Sequence, residues 1–341
     1  MPDIIPTALQ GAWRSLRDRQ PASAVDAAVY VSRGSVATAR RLPGSQLRLA
    51  LRADPLDSSE NLTGLLAAQL SSLGLKKRFG AWPINLVLAP EFYGLQLLEK
   101  PDVAADELRD AMRWKMQEDL KVEALCADVF ELPPAATTAQ PMVYTVAAPR
   151  ASIAELAQAV SAAGVSIRCI DITELSLRNL SCLCFPQADQ SVALLRLTAN
   201  SGVVNLSRGY DLYLSRRISG VPSEFSDEAW GQFRDQLLLQ VQRSVDFYES
   251  NLNQPACNML IVGCTHFWTD EVTAFLDEML HLPVRSLGSV LAGELEIVLH
   301  NPEPQLVDWQ QLDMVQSNAL AAVLPALGGV LRGSGFLEMA A

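Results

Sequence analysis

The chain has 341 residues, of which 49% are hydrophobic and 19% charged, and its formal net charge is −11. That length allows about two domains, with ample material for buried cores. The acidic balance excludes a nucleic-acid partner gripped through Lys and Arg, and broad adhesion to an anionic membrane.

The opening MPDIIPTALQGAWRSLRDRQ has no apolar core of signal-peptide length. No run of about 18 apolar residues occurs anywhere, so no bilayer span is expected. The expected location is cytoplasmic, with any membrane work reached through partners. Residues 1–24 read as an N-terminal arm with a loosely ordered start. The alternative for Ile4–Arg19 is a short basic amphipathic helix with Trp13 and Leu16 on one side.

Val25–Val31, Val36–Arg41 and Gln46–Ala53 read as three short strands, joined at Ser32-Arg33-Gly34-Ser35 and Pro43-Gly44. Leu62–Leu73 reads as a helix ending near Gly74, and Ile84–Ala89 as a buried strand between two prolines. Glu107–Pro134, ELRDAMRWKMQEDLKVEALCADVFELPP, then breaks the rhythm. Leu108, Met112, Met116 and Leu120 recur every four residues on one helical face, with Trp114 beside them. A strand follows at Ala127–Leu132. Met142–Ala147 is again an apolar strand, Ser152–Ala163 a helix, Val165–Asp171 a strand and Glu174–Leu183 a helix. This alternation marks an α/β layer structure.

The opening pattern then recurs. Ser191–Leu197, Gly202–Ser207 and Asp211–Ile218 are three strands in series. A long helix, Asp227–Ser250, carries Trp230, Phe233, Leu237, Leu238, Val241, Val245 and Tyr248 on one face. Strand Asn258–Val262, helix Asp270–Leu280, a short strand at Val284–Arg285 and a last helix near Met314–Arg332 complete the order. Two halves that each begin with three meandering strands form an internal pseudo-repeat. That is the order of an actin-like fold, with a Rossmann-like or ferredoxin-like two-domain protein as competitor.

Several segments carry a family resemblance. Besides Glu107–Leu132, they are Tyr144–Asp171 (YTVAAPRASIAELAQAVSAAGVSIRCID), Gln236–Glu249 (QLLLQVQRSVDFYE), Asn258–Gly263 with Leu282-Pro283-Val284, and Ala321–Arg332. In this order they resemble the PilM/MshI proteins of type IV pilus assembly, and MshI-type members more than PilM. The resemblance implies an α/β, actin-like (ribonuclease H-like) two-domain fold with an inserted small α/β subdomain. The implied boundaries are 25–186 for the first domain, with the insertion at about 91–141, and 187–341 for the second. The C-terminal helix, about 314–332, would pack back on the first.

An actin-like ATPase would hold nucleotide between two Gly-containing hairpins, each with an Asp that organises Mg²⁺. Aligned on the resemblance, the first Asp-x-Gly becomes Tyr30-Val31-Ser32, followed by Arg33 and Gly34. The second becomes Arg196-Leu197-Thr198, and the adenosine Gly-Gly becomes Gly263-Cys264. Asp26 lies four residues too early to replace the first Asp. Ser32, Arg33, Gly34, Arg196, Thr198 and Gly263 are therefore expected to mark a degenerate nucleotide site. Arg33 and Arg196 read as surface or interface arginines, with direct attraction of a phosphate as the alternative. No cofactor, no metal and no catalytic residue is expected; residual ATP/Mg binding is the alternative.

Other chemistry is poorly served. The six cysteines, Cys126, Cys169, Cys182, Cys184, Cys257 and Cys264, read as reduced core thiols. His266 beside Cys264 lacks an orienting acid and reads as a loop histidine. Glu91 and Glu99, like Asp106 and Glu107, read as solvated charges near helix starts. Gly328-Gly329 has no preceding strand and makes no phosphate loop.

The function implied by the resemblance is a pseudo-ATPase scaffold of the inner-membrane platform of an MSHA-like type IV pilus. Its partner would be the cytoplasmic tail of a PilN-like bitopic membrane protein, alongside other platform proteins. The tail would lie in an apolar groove that includes Leu86, Leu88, Met112, Met116, Leu120, Tyr144 and Val146, with Glu118, Asp119, Glu123 and Asp128 favouring a basic or polar tail. Two alternatives stand: a nucleotide-dependent switch of the same platform, and a cytoplasmic GspL-like type II secretion component. Self-association is open.

Overall fold

The computed structural model describes residues 27–42, 48–55, 61–72, 82–121, 124–133, 141–185, 189–224, 226–264, 266–292, 296–300, 304–308 and 314–332. The expected arm at 1–24 lies outside them.

Two large sheets share one local order. The first contains β1 (Ala27–Val31), β2 (Ser35–Leu42), β3 (Arg48–Pro55), β4 (Trp82–Leu88) and β8 (Val165–Ile172). β1, β2 and β3 form an antiparallel meander, and β4 and β8 run parallel to β1 on its other side. The second contains β9 (Ser191–Thr198), β10 (Ser201–Arg208), β11 (Asp211–Ile218), β12 (Met259–Cys264) and β13 (Val284–Ser286). Here too an antiparallel meander is followed by two parallel strands, giving the order β11-β10-β9-β12-β13. β1 and β9 are the inner strands of their sheets, and every residue of β1 is buried. That explains their near-continuous apolar runs.

The first sheet extends past β3 through β14 (Glu296–His300) and β15 (Pro304–Leu306), which come from the far end of the chain. The expected second stretch, 187–341, thus gives two strands to the first sheet, not only its last helix. Two helices lie along the seam between the sheets: α4 (Thr173–Cys184) and α8 (Met314–Leu331). α8 packs along β1, β2, β3 and α4, and reaches β9 as well.

A third, three-stranded sheet has the order β5-β7-β6, with β5 (Gly94–Glu99), β6 (Leu125–Glu131) and β7 (Met142–Pro149). β7 is its central strand, so the expected insertion boundary near 141 cuts this sheet. Helix α2 (Leu108–Leu120) covers one face. Its Leu108 and Met112 pack with Val129 and Val143, and its Met116 with Leu125 and Ala147. α2 ends where Lys121 turns left-handed, at φ 53°. Trp114 points the other way and is 71% exposed.

The remaining helices are α1 (Leu62–Ser72), α3 (Arg150–Ala162), α5 (Asp227–Asp246), α6 (His266–Met279) and the short α7 (Leu287–Leu291). Ser226 caps α5 by accepting the Ala229 N–H at 3.2 Å. Its apolar face buries Phe233, Leu237, Val241 and Val245. No helix among the described residues is long and apolar enough to cross a membrane.

Candidate functional site

The first strands of the two meanders meet at Tyr30 and Arg196. The Arg196 guanidinium lies over the Tyr30 ring, 5.9 Å from its centroid. Expected as a surface or interface arginine, Arg196 is only 6% exposed. What holds it there is Pro325, inside α8. Proline has no N–H, so it leaves the carbonyl four residues earlier without its helical partner. That carbonyl belongs to Ala321, and it accepts the Arg196 Nε–H at 3.2 Å. A fixed cation therefore stands between the first strands of the two meanders, in what an actin-like fold makes its interdomain cleft.

The two hairpin turns are satisfied within the chain. Ser32 N–H donates to the Ser35 carbonyl at 2.9 Å, and the Ser32 hydroxyl reaches the same carbonyl at 3.1 Å. Arg33 N–H donates to the Glu91 carboxylate at 2.8 Å. Gly34 is exposed, with open space where a Cβ would stand. In the second turn Asn200, at φ 59°, donates its N–H to the Pro222 carbonyl at 3.1 Å. The Thr198 hydroxyl reaches the Ser201 carbonyl at 3.4 Å. Gly263 lies within β12, where a Cβ would come 3.1 Å from Leu324 of α8 and 3.4 Å from Leu287. Its missing side chain makes room for α8.

Beneath the turns lies a buried polar cluster that the sequence did not announce. The Tyr93 hydroxyl donates to the Glu174 carboxylate and accepts the Thr173 N–H at 3.2 Å. The Thr173 hydroxyl donates to the Leu88 carbonyl at 2.9 Å, and Asn205 Nδ2 donates to the Glu174 carbonyl at 2.8 Å. Burial raises the Glu174 carboxyl above its usual range, opposed by the Tyr93 hydrogen bond. Burial likewise raises Tyr93, and the Glu174 charge adds to it. Glu91 reads from sequence as a solvated charge near a helix start, and Glu174 only as the first residue of a helix. Only the chain crossing the cleft gives them partners.

Three of the cysteines are poor nucleophiles. Burial pushes Cys182 and Cys257 up to about 11 and Cys169 up to about 12, so these thiols stay protonated at neutral pH. Among the described residues no group of three His, Cys, Asp or Glu side chains could hold a metal ion.

The expected groove residues are packed inside. Leu86, Leu88, Tyr144 and Val146 share one core with Tyr93, Ile153 and Leu156, and Met112 and Met116 lie on the buried face of α2. None of these six is more than 2% exposed. The Leu120 side chain lies outside the described residues. Around that core, half-buried, stand Leu62 and Leu65 of α1 and Leu95 and Leu97 of β5. Among the described residues β5 pairs only with β7, so it is an edge strand.

No protein-family model and no curated protein matches the chain. Solved structures do. A PilM–PilN type IV pilus biogenesis complex matches with a TM-score of 0.61 at 17% identity, over 90% of this chain and 98% of that one. The fold is actin-like. Two further matches are looser. A Bacteroides thetaiotaomicron protein of actin-like ATPase fold and unknown function gives 0.46 at 10% identity, over 87% and 95% of the two chains. The cytoplasmic domain of EpsL, an inner-membrane component of the Vibrio cholerae type II secretion system, gives 0.42 at 12%, over 87% and 94%. The repeated sheet order and the PilM–PilN match agree on the actin-like architecture; at such identities the likeness extends to fold alone.

Proposed function

We propose that this chain is a scaffold of a type IV pilus or related secretion platform, working at the cytoplasmic face of the inner membrane. The observation that carries this is the match to a chain of the PilM–PilN complex over 98% of its length. The partner is the cytoplasmic tail of a PilN-like membrane protein, and the finer reading is an MSHA-type system. The tail docks against the half-buried rim of Leu62, Leu65, Leu95 and Leu97, with Leu86, Leu88, Tyr144 and Val146 as the packed floor beneath. The free edge of β5 gives an extended tail backbone groups to pair with, while the leucines read alternate side chains.

The scaffold is a pseudo-ATPase. Its support is the Arg196–Ala321 bond together with the Glu91 carboxylate on the Arg33 amide, which engage two of the hairpin positions Ser32, Arg33, Gly34, Arg196 and Thr198 with groups of the chain itself. A nucleotide-dependent switch would need those bonds to open.

Calorimetric titration with the tail peptide of a PilN-like protein from the same cell tests the docking. Saturable binding that weakens by about 10-fold or more in Leu97→Asp is expected, since one buried leucine is worth about 1.5–3 kcal/mol. Equal affinity in Leu97→Asp and the unsubstituted chain would remove the groove. Absence of binding to the unsubstituted chain would remove the partner assignment and leave the fold.

A further inference from the structure

β11 is an edge strand of the second sheet, yet its outward edge does not face open solvent. The Tyr144 hydroxyl of β7 lies against it. That oxygen accepts the Ser215 N–H at 2.9 Å and donates to the Tyr213 carbonyl at 3.4 Å. One hydroxyl can do both, having one proton and two lone pairs. It stands where a neighbouring strand would give one amide and one carbonyl. Two residues further along, Arg217 Nη2 donates to the Pro90 carbonyl at 3.1 Å. Ser215 and Arg217 share one face of the strand by their spacing of two, whereas a bulge in the β10–β11 ladder leaves Tyr213 without a partner on β10. Leu212 of β11 belongs to the same core as Tyr93, Tyr144 and Val146. Phe130 stacks on the Tyr144 ring, with centroids 5.0 Å apart.

This contact differs from a strand pair in one respect. A ladder releases bond after bond, whereas a side-chain hydroxyl and one guanidinium release together on a small separation. We propose that Tyr144 and Arg217 form a clamp that holds the second sheet against the inserted three-stranded sheet and the turn at Pro90–Phe92, and that it opens as one unit about the α4–α8 seam. The clamp does not depend on any role in a pilus. Tyr144 then acts as a conformational residue of the closed form, and the β11 edge is a strand edge covered by the chain's own side chain.

Hydrogen exchange of the full chain, followed by mass spectrometry, tests this with three variants. Tyr144→Phe removes the hydroxyl and keeps the ring. Arg217→Ala removes the second attachment. Phe130→Leu removes the stacking and keeps both attachments. The Ser215 amide will exchange faster in Tyr144→Phe for a trivial reason, so the readout is elsewhere. Amides at 216–218 and 92–93, none of them bonded to the Tyr144 hydroxyl, should exchange about 10-fold faster in Tyr144→Phe, and faster still in the double variant. They should stay near the unsubstituted rate in Phe130→Leu, and peptides from α4 and α8 should keep theirs in all three. Unchanged exchange at 216–218 and 92–93 in the double variant would overturn the clamp. Uniform loss of protection across the chain would overturn it too, because the contact would then be ordinary packing.

Discussion

Two seams join the halves of this molecule, and they are built on opposite principles. Along α4 and α8, side-chain amides and hydroxyls bond helix carbonyls directly. Ser176 donates to the Pro325 carbonyl, Asn179 Nδ2 to Gly328 at 3.0 Å, and Asn85 Nδ2 to Gly329 at 2.8 Å. Adjacent glycines let the backbones touch: a Cβ at Gly328 would overlap the Ser176 carbonyl, and one at Gly329 would come 2.6 Å from Val87. At β11 the seam is a hydroxyl and a guanidinium over a small apolar contact. A seam of interlocked backbones has one arrangement, whereas one made by the tips of two side chains has a second arrangement within reach.

Substitutions should separate the two in order of size. Gly328→Ala should be the most damaging single change, costing about 4 kcal/mol or more, because the atom it meets is backbone that has nowhere to go. Urea unfolding would show it as a collapsed midpoint or as chain that does not fold. A midpoint within error of the unsubstituted chain would mean that α8 stands further from α4 than described.

Next is Arg196, which links the seam to the cleft. Arg196→Met should cost about 1–3 kcal/mol, since it leaves the Ala321 carbonyl buried without a donor. Pro325→Ala restores an amide N–H for that carbonyl. In the double variant the Arg196→Met loss should therefore shrink, a coupling that a double-mutant cycle of urea midpoints would measure. Strict additivity would detach Arg196 from Pro325.

How much of this was legible in the sequence follows from what each residue needs from afar. The order of elements came from local periodicity, and the two meanders stood out because turn chemistry brackets them. β5 was not read, since Leu95, Leu97 and Leu98 give no clean alternation next to Gln96. β14 was missed although EIVLH is a good strand run before Asn301-Pro302, because nothing local says that it pairs with β3 across more than two hundred residues. The Gly328-Gly329 pair read only as no phosphate loop; its purpose, close helix packing, needs Ser176 in place. Pro325 did carry a local signal: a proline in a helix predicts a free carbonyl at Ala321. Who takes it could not be read. The groove set was chosen for apolar character, and that same character buries Met112 and Met116.

Glu174 gives a pH test on the cleft side. Its carboxyl is raised in the folded chain by burial, so folding favours the protonated form. The favourable contribution is complete below the ordinary carboxylate value of about 4.3 and is lost as pH rises through the raised folded value. Glu174→Gln, which keeps an oxygen to accept from Tyr93, should therefore gain stability relative to the unsubstituted chain between pH 4 and pH 8. Melting curves at both ends of that window check the sign. A relative loss at pH 8 would show that the ionised carboxylate is the form the fold prefers.

Tyr144→Phe should be the smallest of the set in equilibrium stability, about 1 kcal/mol or less, despite its expected effect on exchange at the β11 edge. Thermal unfolding would show a shift of a few degrees. A loss as large as that of Gly328→Ala would make the two seams alike and end the contrast.

The most direct test of the account is calorimetric titration of the full chain with MgATP, repeated with the tail peptide already bound. The account predicts no saturable heat from MgATP and an unchanged peptide affinity, because it reads the Arg196–Ala321 and Glu91–Arg33 bonds as closing the hairpins to phosphate. One-to-one MgATP binding that alters peptide affinity would contradict it and make the cleft a working switch.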